Sequence, residues 1–202
     1  MGSLVYDILQ EGISEVIATT RYNAAPMGII RKGEDFSLII FKTSHTAENI
    51  SRENRVVAHI VQDPELFVRA AFDDLSPDVF VEDTAGDMEI CRLKGVDNWI
   101  AFTACIKHET PEKVFVRLEP VHAEFSPVLP FPVRRGMNNL IEAAVHGTRY
   151  IISRDPALAE LIRHHGDLVM RCGSQSEKGS LRLLYQYLNQ VSPDPGFKIT
   201  RH

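Results

Sequence analysis

The sequence predicts an α+β protein, with a β-rich part over residues 1–126 and a small helical appendage over 127–202. Three observations carry that expectation. The first part is a series of apolar runs rich in β-branched residues and separated by turn residues. Next comes Ser126-Pro127-Val128-Leu129-Pro130-Phe131-Pro132, which reads as a connector in extended conformation. Beyond it, apolar residues recur at helical spacing.

Taken in order, a short N-terminal turn or helix precedes Ile13–Arg21, a strand candidate built from Ile, Val and Thr. Asn23-Ala24-Ala25 turns the chain into a second strand, Pro26 to Arg31. Lys32-Gly33-Glu34-Asp35 is another tight turn, before the apolar strand Phe36–Phe41. A short helix is expected over Ala47–Glu53, with Thr46 as its N-cap and Glu48 suited to the positive end of its dipole. Val56–Val61 is a further strand. Asp63-Pro64-Glu65 then opens a helix with a cap, a Pro at the first position and an acid in the first turn. Residues 73–97 show no clear pattern and many acids, and are expected to form a solvated surface loop, long enough to serve as a lid. Two long strands, Trp99–Lys107 and Lys113–Phe125, close the first part. In the second, helices are expected over Met137–His146, from Asp155-Pro156 to a stop at Gly166, and over Gly179–Leu188.

Bulk properties narrow the function classes. The 22 Lys plus Arg against 27 Asp plus Glu give a formal charge of −5, which argues against a nucleic-acid partner. No apolar run approaches the ~18 residues a membrane helix requires. Cys91, Cys105 and Cys172 are odd in number and widely spaced, as reduced thiols in a cytoplasm are. The expectation is a cytoplasmic protein with no membrane association.

The richest chemistry lies in Phe41-Lys42-Thr43-Ser44-His45-Thr46-Ala47-Glu48-Asn49-Ile50. A Lys, three hydroxyls and the free N–H groups of a helix N-terminus are what a phosphate monoester needs. The same residues also suit a plain polar strand-to-helix turn, because Ser and Thr favour helix caps anyway. Upstream, Pro26 removes a ladder donor and Gly28 a side chain, so that strand has an edge or a close approach by another group, a flat ring being one candidate.

A strand, a turn with Asn-x-x-Pro-Met-Gly, another strand, and a strand ending Lys-Thr-Ser-His-Thr-x-x-Asn-Ile resemble the FMN-binding split β-barrel superfamily. That group includes the flavin reductases and the pyridoxamine-phosphate-oxidase-like proteins. More closely, the whole chain looks like an uncharacterised family of small archaeal and bacterial proteins with a split barrel and a C-terminal three-helix tail. The resemblance implies that Ala25, Pro26, Met27 and Gly28 lie against the isoalloxazine ring, their backbone groups bonding its polar rim. It implies that Lys42, Thr43, Ser44 and Thr46 hold the FMN phosphate, with Asn49 one helical turn inward. It also implies a homodimer with each flavin at the subunit interface and the tail packed on the barrel or on the partner. A barrel using a deazaflavin, and a flavin-binding or interaction protein without turnover, are the alternative readings. No residue matches a catalytic acid or base of such proteins.

Elsewhere, Arg134, Arg135, Asn138 and Glu142, at the start of the first C-terminal helix, are candidates for contact with the cofactor or an anionic substrate, or for a basic helix start. No metal site is expected, since no His-Glu-x-x-His or Cys-x-x-Cys occurs and His164 and His165 point in different directions. No thiol or hydroxyl has a readable catalytic partner. Trp99 and Phe102 read as core residues, with stacking on a ring as the rival role.

Overall fold

The computed structural model describes residues 2–126, 134–194 and 196–197. The extended connector expected at 127–132 lies outside them.

Alternation in the sequence becomes a barrel. Strands β1 (Gly12–Thr20), β2 (Asn23–Lys32) and β3 (Asp35–Phe41) form a meander, followed by α2 (His45–Glu53) and β4 (Arg55–His59), with α1 (Gly2–Ile8) ahead of them. Strands β7 (Trp99–Glu109) and β8 (Lys113–Glu124) complete a closed antiparallel barrel in the order β1-β2-β3-β8-β7-β4. Phe36, Leu38 and Ile40 of β3 point inward with Val114, Val116 and Leu118 of β8, and the intervening Ile39 and Phe41 face out. Trp99 and Phe102 are buried at 1% and 0% exposure, so both belong to the core. Arg31 of β2 donates to the carbonyls of Tyr6 (2.6 Å) and Leu9 (3.0 Å), which ties down the end of α1.

The acidic stretch is not a loop. After a single 3-10 turn at Pro77–Val79, β5 (Phe80–Ala85) and β6 (Met88–Leu93) form a two-stranded hairpin. Its two-residue turn is Gly86-Asp87, with Gly86 at φ +64°. Glu82, Thr84 and Glu89 face water while Phe80, Ala85, Ile90 and Leu93 are buried. The acids thus mark the outer face of a strand pair.

His59 fastens this hairpin to the barrel. Its Nε2 accepts the N–H of Leu93 at 3.0 Å, so the proton sits on Nδ1, which bonds the carbonyl of Ile17 at 3.0 Å. Burial pushes its pKa down to about 4, with the nearby Arg92 adding to the fall and the Ile17 bond opposing it. Thr19 Oγ1 donates to the Cys91 carbonyl at 2.6 Å alongside. Burial, with Glu82 and Glu53 next in effect, raises the Cys91 thiol to about 11, which makes it inert.

The described residues divide into two compact units, and the helical one includes Gln62–Asp73, which carries α3 (Pro64–Phe72). Its other helices are α4 (Arg135–Ser153), α5 (Pro156–Cys172) and α6 (Gln175–Val191), each longer than its apolar spacing indicated. The α6 start is fixed by a capping box in which the Ser174 N–H donates to Glu177 Oε2 at 2.6 Å. Val68, Leu140, Ile162, Val169, Leu181, Leu184 and Leu188 make its core. Gly166 does not end α5. It is buried in mid-helix, where a Cβ would collide with the Tyr185 hydroxyl.

Two measurements check these packings. His59 is neutral when folded and would take up its proton near 6.5 when unfolded. Its contribution is therefore whole above pH 6.5 and is lost as pH falls toward 4, by about 3 kcal/mol in all. Denaturant titrations across that window should show the loss, and His59→Gln should remove the part due to His59, leaving a shallower pH dependence. Gly166→Ala should destabilise by about 1–2 kcal/mol through overpacking, whereas Gly179→Ala on α6, where a Cβ meets open space, should stabilise by about 0.5–1 kcal/mol.

Candidate functional site

Two joins of the barrel are short: β1 pairs with β4 only from Ile17 to Thr19, and β2 with β3 at three positions, where a seam opens. β2 pairs with β1 from Asn23 to Arg31, but with β3 only at Ile30↔Ser37, Arg31↔Phe36 and Lys32↔Asp35. From Asn23 to Ile29 the outer edge of β2 has no strand beside it, and Leu38–Phe41 of β3 likewise has only β8. Ala25, Pro26, Met27 and Gly28 all lie on this unpaired stretch. Pro26 is tolerated there because an edge can do without its N–H. Met27 packs its side chain against the core, which leaves its backbone to the seam. Gly28 has a reason other than a ring: a Cβ would meet Ile13 Cγ2 of β1 at 2.8 Å and Glu15 Oε1 at 3.2 Å.

The end of β3 leads directly into α2. Ser44, not Thr46, is the N-cap. Its Oγ accepts the Ala47 N–H at 3.2 Å and donates to the Phe41 carbonyl at 2.7 Å. Thr46 is buried, and its hydroxyl accepts from Asn23 Nδ2 at 3.1 Å. Asn49 Nδ2 donates to the Thr20 carbonyl at 2.9 Å and lies 3.2 Å from its hydroxyl. Two amides thus lace α2 to both strands of the β1–β2 hairpin. Among the described residues, the N–H groups of His45 and Thr46 have no hydrogen-bond partner. They point along the positive end of the helix dipole, as an anion site requires. Thr43 is exposed beside them. Lys42 is exposed and pairs with Glu109 at 2.5 Å, a bridge that water screens and a stronger anion can displace.

The second group of candidates belongs to the helical unit. The Arg134 guanidinium lies 2.8 Å from Oε1 of the buried Glu177 and donates to Ser174 Oγ at 3.1 Å. It is therefore committed to joining the starts of α4 and α6. Arg135 and Asn138 are exposed on the first turn of α4. Glu142 is brought together with His146 and His165, their ligand-type atoms all within 4.8 Å of one another. Sequence reading missed Thr20 and Asn23, whose polar atoms hold Asn49 and Thr46. The sign available was a hydroxyl and an amide flanking the turn, each able to reach a helix that returns to it. It also missed a cleft of about 410 Å³ lined by Arg21, Tyr22, Arg55, Glu82 and Cys91, which exists because the acidic stretch folds back as a hairpin.

Two family models match. Residues 14–126 match the N-terminal domain of the protein of unknown function DUF447, and residues 134–186 match the second DUF447 segment. The chain belongs to the DUF447 family. Among solved structures it is similar to the FMN-bound DUF447 protein MM1853 from Methanosarcina mazei, at 38% identity and a TM-score of 0.84, covering 91% of this chain and 99% of that one. It is remotely similar to the 2-nitrobenzoate 2-nitroreductase NbaA of Pseudomonas fluorescens (17% identity, 61% of this chain and 69% of that one, TM-score 0.47). A similar distance separates it from nitrilotriacetate monooxygenase component B of Bacillus cereus (14%, 65% and 80%, TM-score 0.46).

The lacing of α2 gives a contrast that denaturation can read. Asn49→Ala, which leaves the Thr20 groups without their partner, should cost about 1–2 kcal/mol. Thr43→Ala, at an exposed turn position, should stay within about 0.5 kcal/mol of the parent.

Proposed function

We propose that this chain is an FMN-binding flavoprotein that works as an oxidoreductase, with the flavin held at the seam of the barrel. The observation that carries the reading is a coincidence in space. An unpaired strand edge able to bond a planar polar rim runs beside a capped helix start with free N–H groups, hydroxyls and a Lys. The 38% identity to an FMN-bound protein along nearly the whole chain supports it.

In this reading the backbone from Ala25 to Gly28 bonds the ring, and the N–H groups of His45 and Thr46 take the phosphate. Thr43 and Ser44 supply hydroxyls. Lys42 leaves Glu109 to add a point charge. Thr46 and Asn49 act as positioning residues, since their polar atoms are spent on Asn23 and Thr20. Bound there, the cofactor supplies hydride and electron transfer, and the protein supplies place and orientation.

We further propose that the barrel dimerises across its β3–β8 face. Ile39 and Phe41 are 46% and 53% exposed on the outer face of β3. Paired copies would cover this apolar surface and close over the seam.

The deciding experiment loads the purified protein with FMN, desalts it and records its absorbance, then follows NADH and NADPH oxidation. Retained flavin bands with turnover are the expected result. Retention without turnover with any donor would leave a flavin carrier or sensor, and failure to retain FMN would discard the reading. The site assignment has its own check. Lys42→Ala combined with Ser44→Ala should weaken FMN binding about 100-fold. Glu109→Gln should tighten it a few-fold by freeing Lys42. Unchanged affinity in both would move the phosphate elsewhere.

A further inference from the structure

We propose that Glu142, His146 and His165 form a three-ligand site for a divalent transition metal ion, with zinc the best match. Glu142 and His146 are four residues apart on α4 and so share one face of that helix, and His165 comes across from α5. All three ligand-type atoms lie within 4.8 Å of one another. Zinc bonds of about 2.1 Å set tetrahedral ligand atoms about 3.4 Å apart. Reaching that spacing needs closure of at most about 1.4 Å, within reach of side-chain torsions and easiest at the exposed Glu142.

Three further features point to a ligand rather than to incidental packing. His146 Nδ1 is fully buried and has no hydrogen-bond partner. Buried polar atoms of this kind ordinarily find one, and a metal ion is a partner that needs no donor or acceptor from the protein. The His146 and His165 rings stack, 5.5 Å between centroids and 23° apart in plane, which keeps a nitrogen of each within 4.8 Å of the other. Asn139, one turn before Glu142, places Oδ1 2.9 Å from His165 Nδ1. That bond holds the proton on Nδ1 and leaves Nε2 as the ring's free lone pair, the outer-sphere arrangement that metal-bound histidines show. His164, the neighbour in sequence, is exposed and its ring stands at 72° to that of His165, outside the cluster.

Two imidazoles and one carboxylate favour zinc, cobalt or nickel over magnesium or calcium, which take oxygen. With the carboxylate side open to water, a fourth position remains for a water molecule or a substrate atom. The site lies wholly within the helical unit and owes nothing to the flavin reading.

The test strips the protein with a chelator, then titrates Zn²⁺ and, as a visible reporter, Co²⁺. The expected result is one zinc per chain retained after desalting, visible bands of imidazole-bound cobalt, and a melting temperature raised by about 5 °C or more at a hundredfold excess over Kd. His146→Ala and His165→Ala should abolish retention, and Asn139→Ala should weaken it about 10–100-fold. Should a histidine variant lose its helical circular dichroism, Glu142→Gln decides, because its exposed position cannot unfold α4; it should weaken zinc at least tenfold. A parent protein that keeps no zinc or cobalt would overturn the proposal, as would a Glu142→Gln variant that binds as tightly as the parent.

Discussion

A strand edge inside a barrel must either find a partner or lie open, and β2 from Asn23 to Ile29 lies open. The neighbouring strands and α2 are arranged around that opening. β3 separates from β2 after three pairs and commits its far end to β8, so a gap forms between strands that stay adjacent in the barrel order. Backbone groups that would otherwise pair with each other are left for something else. α2 begins where β3 ends, at the same gap, which is why a helix start and an open edge occur together. The coincidence follows from chain connectivity and needs no coincidence of side chains.

What keeps the gap from collapsing is polar lacing. Asn23 reaches Thr46 and Asn49 reaches Thr20, so α2 is bonded to both strands of the hairpin whose edge is open. On the other side of β1, His59 holds β4 and the β5–β6 hairpin together through one ring, each nitrogen spent on a backbone group. Each bond is modest in net worth, but leaving any of these groups buried and unpaired costs more than the bond supplies. The helix start is therefore set in place when the barrel folds, and a ligand has little ordering left to impose.

Much of this could be read from the chain. The alternation of Phe36, Leu38 and Ile40 marks an inward face, and Asp63-Pro64-Glu65 marks a helix start wherever it occurs. The composition of 73–97 hid a hairpin because its acids are the solvent side of a strand pair, and only Gly86-Asp87 betrays the turn. Gly166 looks like a helix stop because a glycine usually is one; here it makes room for Tyr185, a residue on another helix. Choosing between Ser44 and Thr46 as the cap depended on where Asn23 arrives, which no local pattern contains. Glu142 and His146 show their four-residue spacing plainly, yet their partner His165 is a neighbour only in space. The resemblance to split barrels pointed to the β2 edge and the start of α2, while the crowding of Gly28 by Ile13 and Glu15 of β1 is visible only in space.

α3 lies between β4 and β5 in the chain, yet it shares its core with helices encoded beyond residue 134. The helical unit is thus discontinuous, and the order of synthesis runs against the order of assembly. As the chain emerges, α3 appears with its buried face, Val68 included, some 60 residues before the first helix able to cover it. The barrel strands after it must find their places while that face waits. A gene split after residue 126 would leave the same problem permanently: the first product would carry an uncovered apolar helix, and the second would have a core with one wall missing.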